Sequence, residues 1–202
     1  SAGQVFDPKQ SVITDDGLLL GVRNKNVTYL TNTEGSVTAF VQEGALWTYT
    51  QNNGKFAQVF DFRKAAKGDF RDSHTEHDIK LLSVEDDGDV NFMVYGYMNR
   101  GNHEGYCGAG IYHYNHDQNV VEEKVFIPTT ESFEFLKSDL GTLSYVNKKN
   151  QLFLLLSGSL YQINIDDSEY KVLAENIDSN QFAVSETNAH AAWRITDGDQ
   201  AG

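Results

Sequence analysis

Cysteine occurs once, at Cys107, and proline twice, at Pro8 and Pro128, in a chain of 202 residues. The single cysteine excludes an internal disulfide framework and any site built on several thiolates. Two prolines, both outside the alternating runs, leave those runs free to pair as strands without losing ladder donors. No apolar run approaches the ~18 residues that a membrane-spanning helix needs. Basic residues are also scarce: 16 Lys plus Arg stand against 29 Asp plus Glu, a net charge of −13. A surface of that sign repels phosphate backbones and anionic lipid, so neither nucleic acid nor membrane insertion is expected. Three catalytic signatures are missing as well: the Gly-x-Ser-x-Gly elbow, the phosphate-cradling Gly-Lys-Ser/Thr loop and His-Glu-x-x-His. What the chain does have is 40% hydrophobic and 12% aromatic residues, enough to close a core rather than remain a solvated acidic tail.

Period-two alternation dominates. Runs rich in Val, Ile, Leu, Tyr, Phe and Thr are separated by clusters such as Thr33-Glu34-Gly35, Asn52-Asn53-Gly54, Asp86-Asp87-Gly88, Asn115-His116-Asp117 and Asp166-Asp167-Ser168. These read as antiparallel strands joined by tight turns. The Asp-Gly turns carry no twelve-residue loop with a closing glutamate, so turn chemistry explains them without calcium. Short helices are expected at most over residues 62–71 and 130–138.

A weak internal repeat organises the strands. Leu46-Trp47-Thr48-Tyr49, Ile111-Tyr112-His113-Tyr114 and Leu160-Tyr161-Gln162-Ile163 each follow small residues: Gly44-Ala45, Gly108-Ala109-Gly110 and Gly158-Ser159. Each run follows an apolar hairpin and precedes a turn and one more strand. Trp47, Tyr112 and Tyr161 align at intervals of 65 and 49 residues. Three copies of a four-stranded antiparallel unit result, in a chain that resembles β-propeller repeat proteins over most of its length. That resemblance implies an all-β, propeller-like array of about four blades. The fourth would be closed by both termini, Gln10–Thr14 with Leu18–Arg23 from one end and Phe182–Ser185 with Ala191–Ile195 from the other. A β-sandwich or an open meander is the alternative. Residues 1–202 read as a single such domain. The start at Ser1 fits a piece excised from a larger protein, an extracellular or cell-surface bacterial one by expectation.

In such units the connections alternate between the two ends of the strands. The short turns fall at one end, and the longer segments 63–77, 99–108 and 128–139 at the other, where binding loops are expected. Five of the six histidines lie in the second unit. His74 and His77, with Asp78 beside them, have a spacing that can place two imidazoles on one divalent metal, although packing and solvation explain most such stretches. His103, Glu104 and Tyr106, with Arg100 and Arg71, map to the same end and suit a polar or acidic ligand. Arg63, Lys64 and Lys67 add to that local basic character. Tyr95 and Tyr97 alternate onto one strand face, where packing between blades is the expected role. The reading is therefore a non-enzymatic binding or scaffold module for a protein, peptide or glycan, with no obligatory cofactor. A metal-assisted or carboxylate-driven glycan hydrolase or lyase is the alternative.

Overall fold

The computed structural model describes residues 11–13, 19–21, 28–42, 44–61, 77–99, 105–129, 144–146, 150–184 and 191–195. Three four-stranded antiparallel sheets follow one another along the chain. Sheet I is β3 (Tyr29–Thr31), β4 (Val37–Gln42), β5 (Ala45–Thr50) and β6 (Lys55–Asp61). Sheet II is β7 (His77–Val84), β8 (Val90–Asn99), β9 (Gly105–Asn115) and β10 (Val120–Thr129). Sheet III is β11 (Ser144–Val146), β12 (Gln151–Leu156), β13 (Ser159–Asn164) and β14 (Glu169–Ala174). In each, the strands lie in sequence order, so every connection is a hairpin. Two further pairs complete the described chain: β1 (Ser11–Ile13) with β2 (Leu19–Gly21), and β15 (Ile177–Val184) with β16 (Ala191–Ile195). Among the described residues these are separate two-stranded sheets. The expected helices over 62–71 and 130–138 lie outside the described residues.

The repeat is written into the ladder as well as the side chains. In every sheet the pairing of third and fourth strands slips by one residue at the same place: Leu46/Trp47, Ile111/Tyr112 and Leu160/Tyr161. The outer strand carries the extra residue, which is Val59, Lys124 or Leu173. These bulge residues are again 65 and 49 apart, the spacing of Trp47, Tyr112 and Tyr161. A bulge tightens local twist and bends its strand, so its recurrence marks three copies of one structural unit.

The sheets stack face to face. Ala39, Leu46 and Phe60 of sheet I share one core with Ile79, Leu81, Phe92, Val94 and Tyr114 of sheet II. The other face of sheet II places Met93, Tyr95, Ala109, Ile111, Val125 and Ile127 against Leu152, Leu154, Leu156, Ile163 and Ile165 of sheet III. Sheet III then packs Leu155 and Leu160 on Ile177 of β15. Both faces of the middle sheets are thus apolar, and their strands read as nearly continuous hydrophobic runs such as Val90–Tyr95, all buried. The first strands β3 and β7, and β7 and β11, also approach one another, as do the outermost β10 and β14. Sheets in sequence order, with first strands near one another, form a propeller-like array.

Small residues make room for aromatic rings within sheet II. A Cβ on Gly110 would lie 2.8 Å from the Tyr112 ring, and one on Gly108 would collide with the Ile127 carbonyl and the Phe126 ring. The longer second-to-third loop expected over 99–108 is largely strand: β8 runs to Asn99 and β9 starts at Gly105. Tyr106, opposite Met98, therefore stands in the ladder rather than in a loop.

Gly88 closes the β7–β8 turn with φ +93°, and a Cβ there would meet His116 Cδ2 at 2.8 Å and Val37 Cγ2 at 3.2 Å. Gly88→Ala combines backbone strain with this crowding, so a loss of about 2 kcal/mol is expected. Urea denaturation of the two proteins measures it, and an unchanged midpoint would show that the turn tolerates a side chain.

Candidate functional site

Hairpin topology sets two ends. The turns 32–36, 51–54, 85–89, 116–119 and 165–168 lie at one end of the sheets. At the other end lie the strand boundaries that flank residues 62–76, 100–104 and 130–143: Asp61, His77, Asn99, Gly105, Thr129 and Ser144. All three segments border sheet II, and the two long ones, 62–76 and 130–143, lead into its first strand and out of its last. Arg71, His74, Arg100, His103 and Glu104 lie outside the described residues. His77 is the first residue of β7, opposite Gly96.

Asp78 follows it, opposite Tyr95. One carboxylate oxygen accepts the Ile79 amide at 2.9 Å, and the other accepts the Tyr95 hydroxyl at 3.4 Å. Tyr95 is only 5% exposed and packs with Met93, Ala109 and Leu154 between sheets II and III, so the expected packing role is correct. Burial, then the Asp78 charge and the hydrogen bond to it, push its hydroxyl up to about 12. Lys80, two residues along the same strand and therefore on the same face, is held below its ordinary range by burial. A carboxylate, a neutral phenol and a half-buried amine thus share one face of sheet II, with Asp78 next to the first residue of β7 at the end where the long segments attach.

The short-turn end carries a denser polar network. Ser83, Asn91 and His113 lie directly opposite one another across β7, β8 and β9. Asn91, fully buried, donates to Ser83 Oγ at 3.0 Å and to Glu85 Oε1 at 3.2 Å, and Ser83 Oγ donates to Glu85 Oε1 at 2.8 Å. Its amide nitrogen being committed, its Oδ1 faces His113 Nδ1 at 2.9 Å. His113 Nε2 meets Asp89 Oδ2 at 3.1 Å. Asp89 also accepts the His116 amide at 2.7 Å and the Asn115 side chain at 3.3 Å. The β7–β8 and β9–β10 turns are thereby stapled through one carboxylate.

This network is structural chemistry. Both His113 nitrogens face oxygens of the network, Asn91 Oδ1 and Asp89 Oδ2, so the ring is held as a cross-strand tie. His116, in the turn, has Nδ1 buried without a hydrogen-bond partner, its ring edge-on to Tyr114 at 6.2 Å. His113 and His116 accordingly stay apart from His77 and Asp78, as their places in the hairpins require. Sequence reading did not find the staple, although an asparagine inside the apolar run Val90–Tyr95 was a signal for it. Among the described residues, no three His, Cys, Asp or Glu side chains gather into a group that could hold a metal ion.

No protein-family model and no curated protein matches the chain. Among solved structures it is similar to an oligogalacturonate lyase in complex with manganese, at 14% identity and TM-score 0.43 over 70% of this chain and 34% of that one. An oligogalacturonate lyase from Vibrio parahaemolyticus gives 14% identity and TM-score 0.42, over 70% and 34%. Dipeptidyl peptidase 4 of Porphyromonas gingivalis gives 10% and 0.48, over 89% and 33%. The chain spans about a third of the length of these chains.

Proposed function

We propose that this chain is a non-enzymatic binding or scaffold module that presents the long-segment end of sheet II to a protein, peptide or glycan. The observation behind this reading is the asymmetry of the two ends. At one end, turns consume their own polar groups: Asn32 bonds Ser36 and Val37, Asp89 holds two turns, and Asn150 bonds Asp166. At the other end two long connections, residues 62–76 and 130–143, attach to the borders of one sheet, on either side of its β8–β9 connection. Rigid stacked sheets with long connections grouped at one edge are how such scaffolds carry recognition. His103, Glu104, Tyr106, Arg100 and Arg71 are the ligand contacts of this proposal. Among the described residues no helix is long and apolar enough to cross a membrane.

A second reading takes Asp78, which follows His77 in sequence at that end, as a metal ligand. With His74 it would hold a divalent metal for a glycan hydrolase or lyase. Elemental analysis of the purified chain and of a His74→Ala/His77→Ala variant separates the two. The binding reading expects no stoichiometric metal in either protein, together with glycan-array or peptide binding that weakens at least tenfold in Arg100→Ala/His103→Ala. One ion per chain, lost in the variant, would transfer the assignment to the enzyme.

A further inference from the structure

Among the described residues, the outermost strands β6, β10 and β14 each leave one edge unpaired, and the three edges differ in how they are protected. Strand β10 has Pro128, which offers no donor; its Lys124 is committed to Glu122 at 3.1 Å and its Glu123 to the Tyr112 hydroxyl at 2.7 Å. The last charge of β6, Asp61, is buried. Strand β14 is different. It carries two of the three large hydrophobic side chains exposed among the described residues, Tyr170 at 49% and Val172 at 46%, ahead of its bulge at Leu173. Between and beside them are Glu169 and Lys171, both exposed and without ion-pair partners among the described residues.

This short edge is complementary to itself. Antiparallel pairing of two copies about a twofold axis through Tyr170 sets Glu169 of each copy opposite Lys171 of the other. Tyr170 then lies against Tyr170, and Val172 against Ser168. Two opposite-charge cross-strand pairs and an aromatic pair are favourable neighbours in a sheet. A twofold contact of this kind closes on itself rather than growing into a fibre. We infer that β14 is a homodimerisation edge and that its occupant is β14 of a second copy of this chain. The surface is separate from the proposed ligand end, so the two readings stand or fall independently.

The contact is small, below the ~1,200 Å² of stable complexes, so dissociation in the range of about 10 μM to 1 mM is expected. Sedimentation equilibrium across that range tests it, at about 0.15 M salt so that repulsion between two chains of charge −13 is screened beyond ~8 Å. Lys171→Glu places like charges opposite each other twice and is expected to weaken the dimer at least tenfold. The charge swap Glu169→Lys/Lys171→Glu restores both pairs and is expected to restore dimerisation. Both positions are exposed, and unchanged circular dichroism confirms that the variants fold. A monomer throughout, a dimer indifferent to Lys171→Glu, or a charge swap that fails to rescue each overturns the inference.

Discussion

Phe92→Ala is expected to cost about 4 kcal/mol, a large share of the 5–15 kcal/mol that holds an ordinary domain together. Phe92 is fully buried where sheets I and II meet. Its ring stacks on Tyr112 of the neighbouring strand at 5.5 Å and 18°, and lies 5.0 Å from Phe60 of sheet I. Phe60 and Tyr112 are themselves 5.3 Å apart, so the three rings form a closed triangle across the interface. Truncation removes the transfer free energy of the ring and leaves a cavity that rigid flanking strands cannot fill. Phe92→Leu keeps most of the volume and is expected to lose less than half as much. Urea denaturation gives both numbers. A Phe60→Ala/Phe92→Ala cycle then measures the contact itself, with a coupling of at least ~0.5 kcal/mol expected. Full additivity would mean that the Phe60–Phe92 contact adds nothing beyond the burial of each ring.

The legible part of this chain was what side-chain period and turn chemistry encode. Trp47, Tyr112 and Tyr161 revealed the unit because each follows small residues, and Gly108 and Gly110 show why: their missing Cβ atoms leave room for the Phe126 and Tyr112 rings. The same alignment was borne out by bulges at Val59, Lys124 and Leu173, which no alternation pattern displays. The β8–β9 connection was read too long, as 99–108, because Gly105 and Gly108 look like loop residues, whereas here they extend a hairpin of strands Val90–Asn99 and Gly105–Asn115. The Asp89–His113–Asn91 staple was illegible for another reason. His113 is at least 22 positions from Asn91 and Asp89, and only cross-strand register brings it to them. Of the candidate site, Asp78 found a structural setting, in the company of Tyr95 and Lys80.

That setting predicts how the protein fails in alkali. Tyr95 has its hydroxyl raised from 10.0 to about 12, chiefly by burial and then by the Asp78 charge and hydrogen bond. Between these two values the unfolded chain has lost the proton and the folded chain still holds it, so rising pH favours unfolding. The stabilisation is complete below pH 10 and disappears by pH 12. Two pH units correspond to about 2.7 kcal/mol, half of it gone near pH 11. Tyr114 and Tyr161, also raised by burial, act in the same direction. Lys80 opposes them: its lowered value means that the folded chain sheds that proton first, so in its window below 10.5 stability rises with pH. Tyr95→Phe isolates the one contribution, since phenylalanine fills the same space between sheets II and III and has nothing to ionise. Urea titrations at pH 9 and pH 11 are expected to show a stability loss about 1.4 kcal/mol smaller in Tyr95→Phe than in the parent. The variant should be slightly less stable at pH 9, where the hydrogen bond to Asp78 is missing, and the gap should narrow or reverse at pH 11. Equal losses in both proteins would place the Tyr95 hydroxyl in contact with water and break the link between sheet stacking and the carboxylate at its edge.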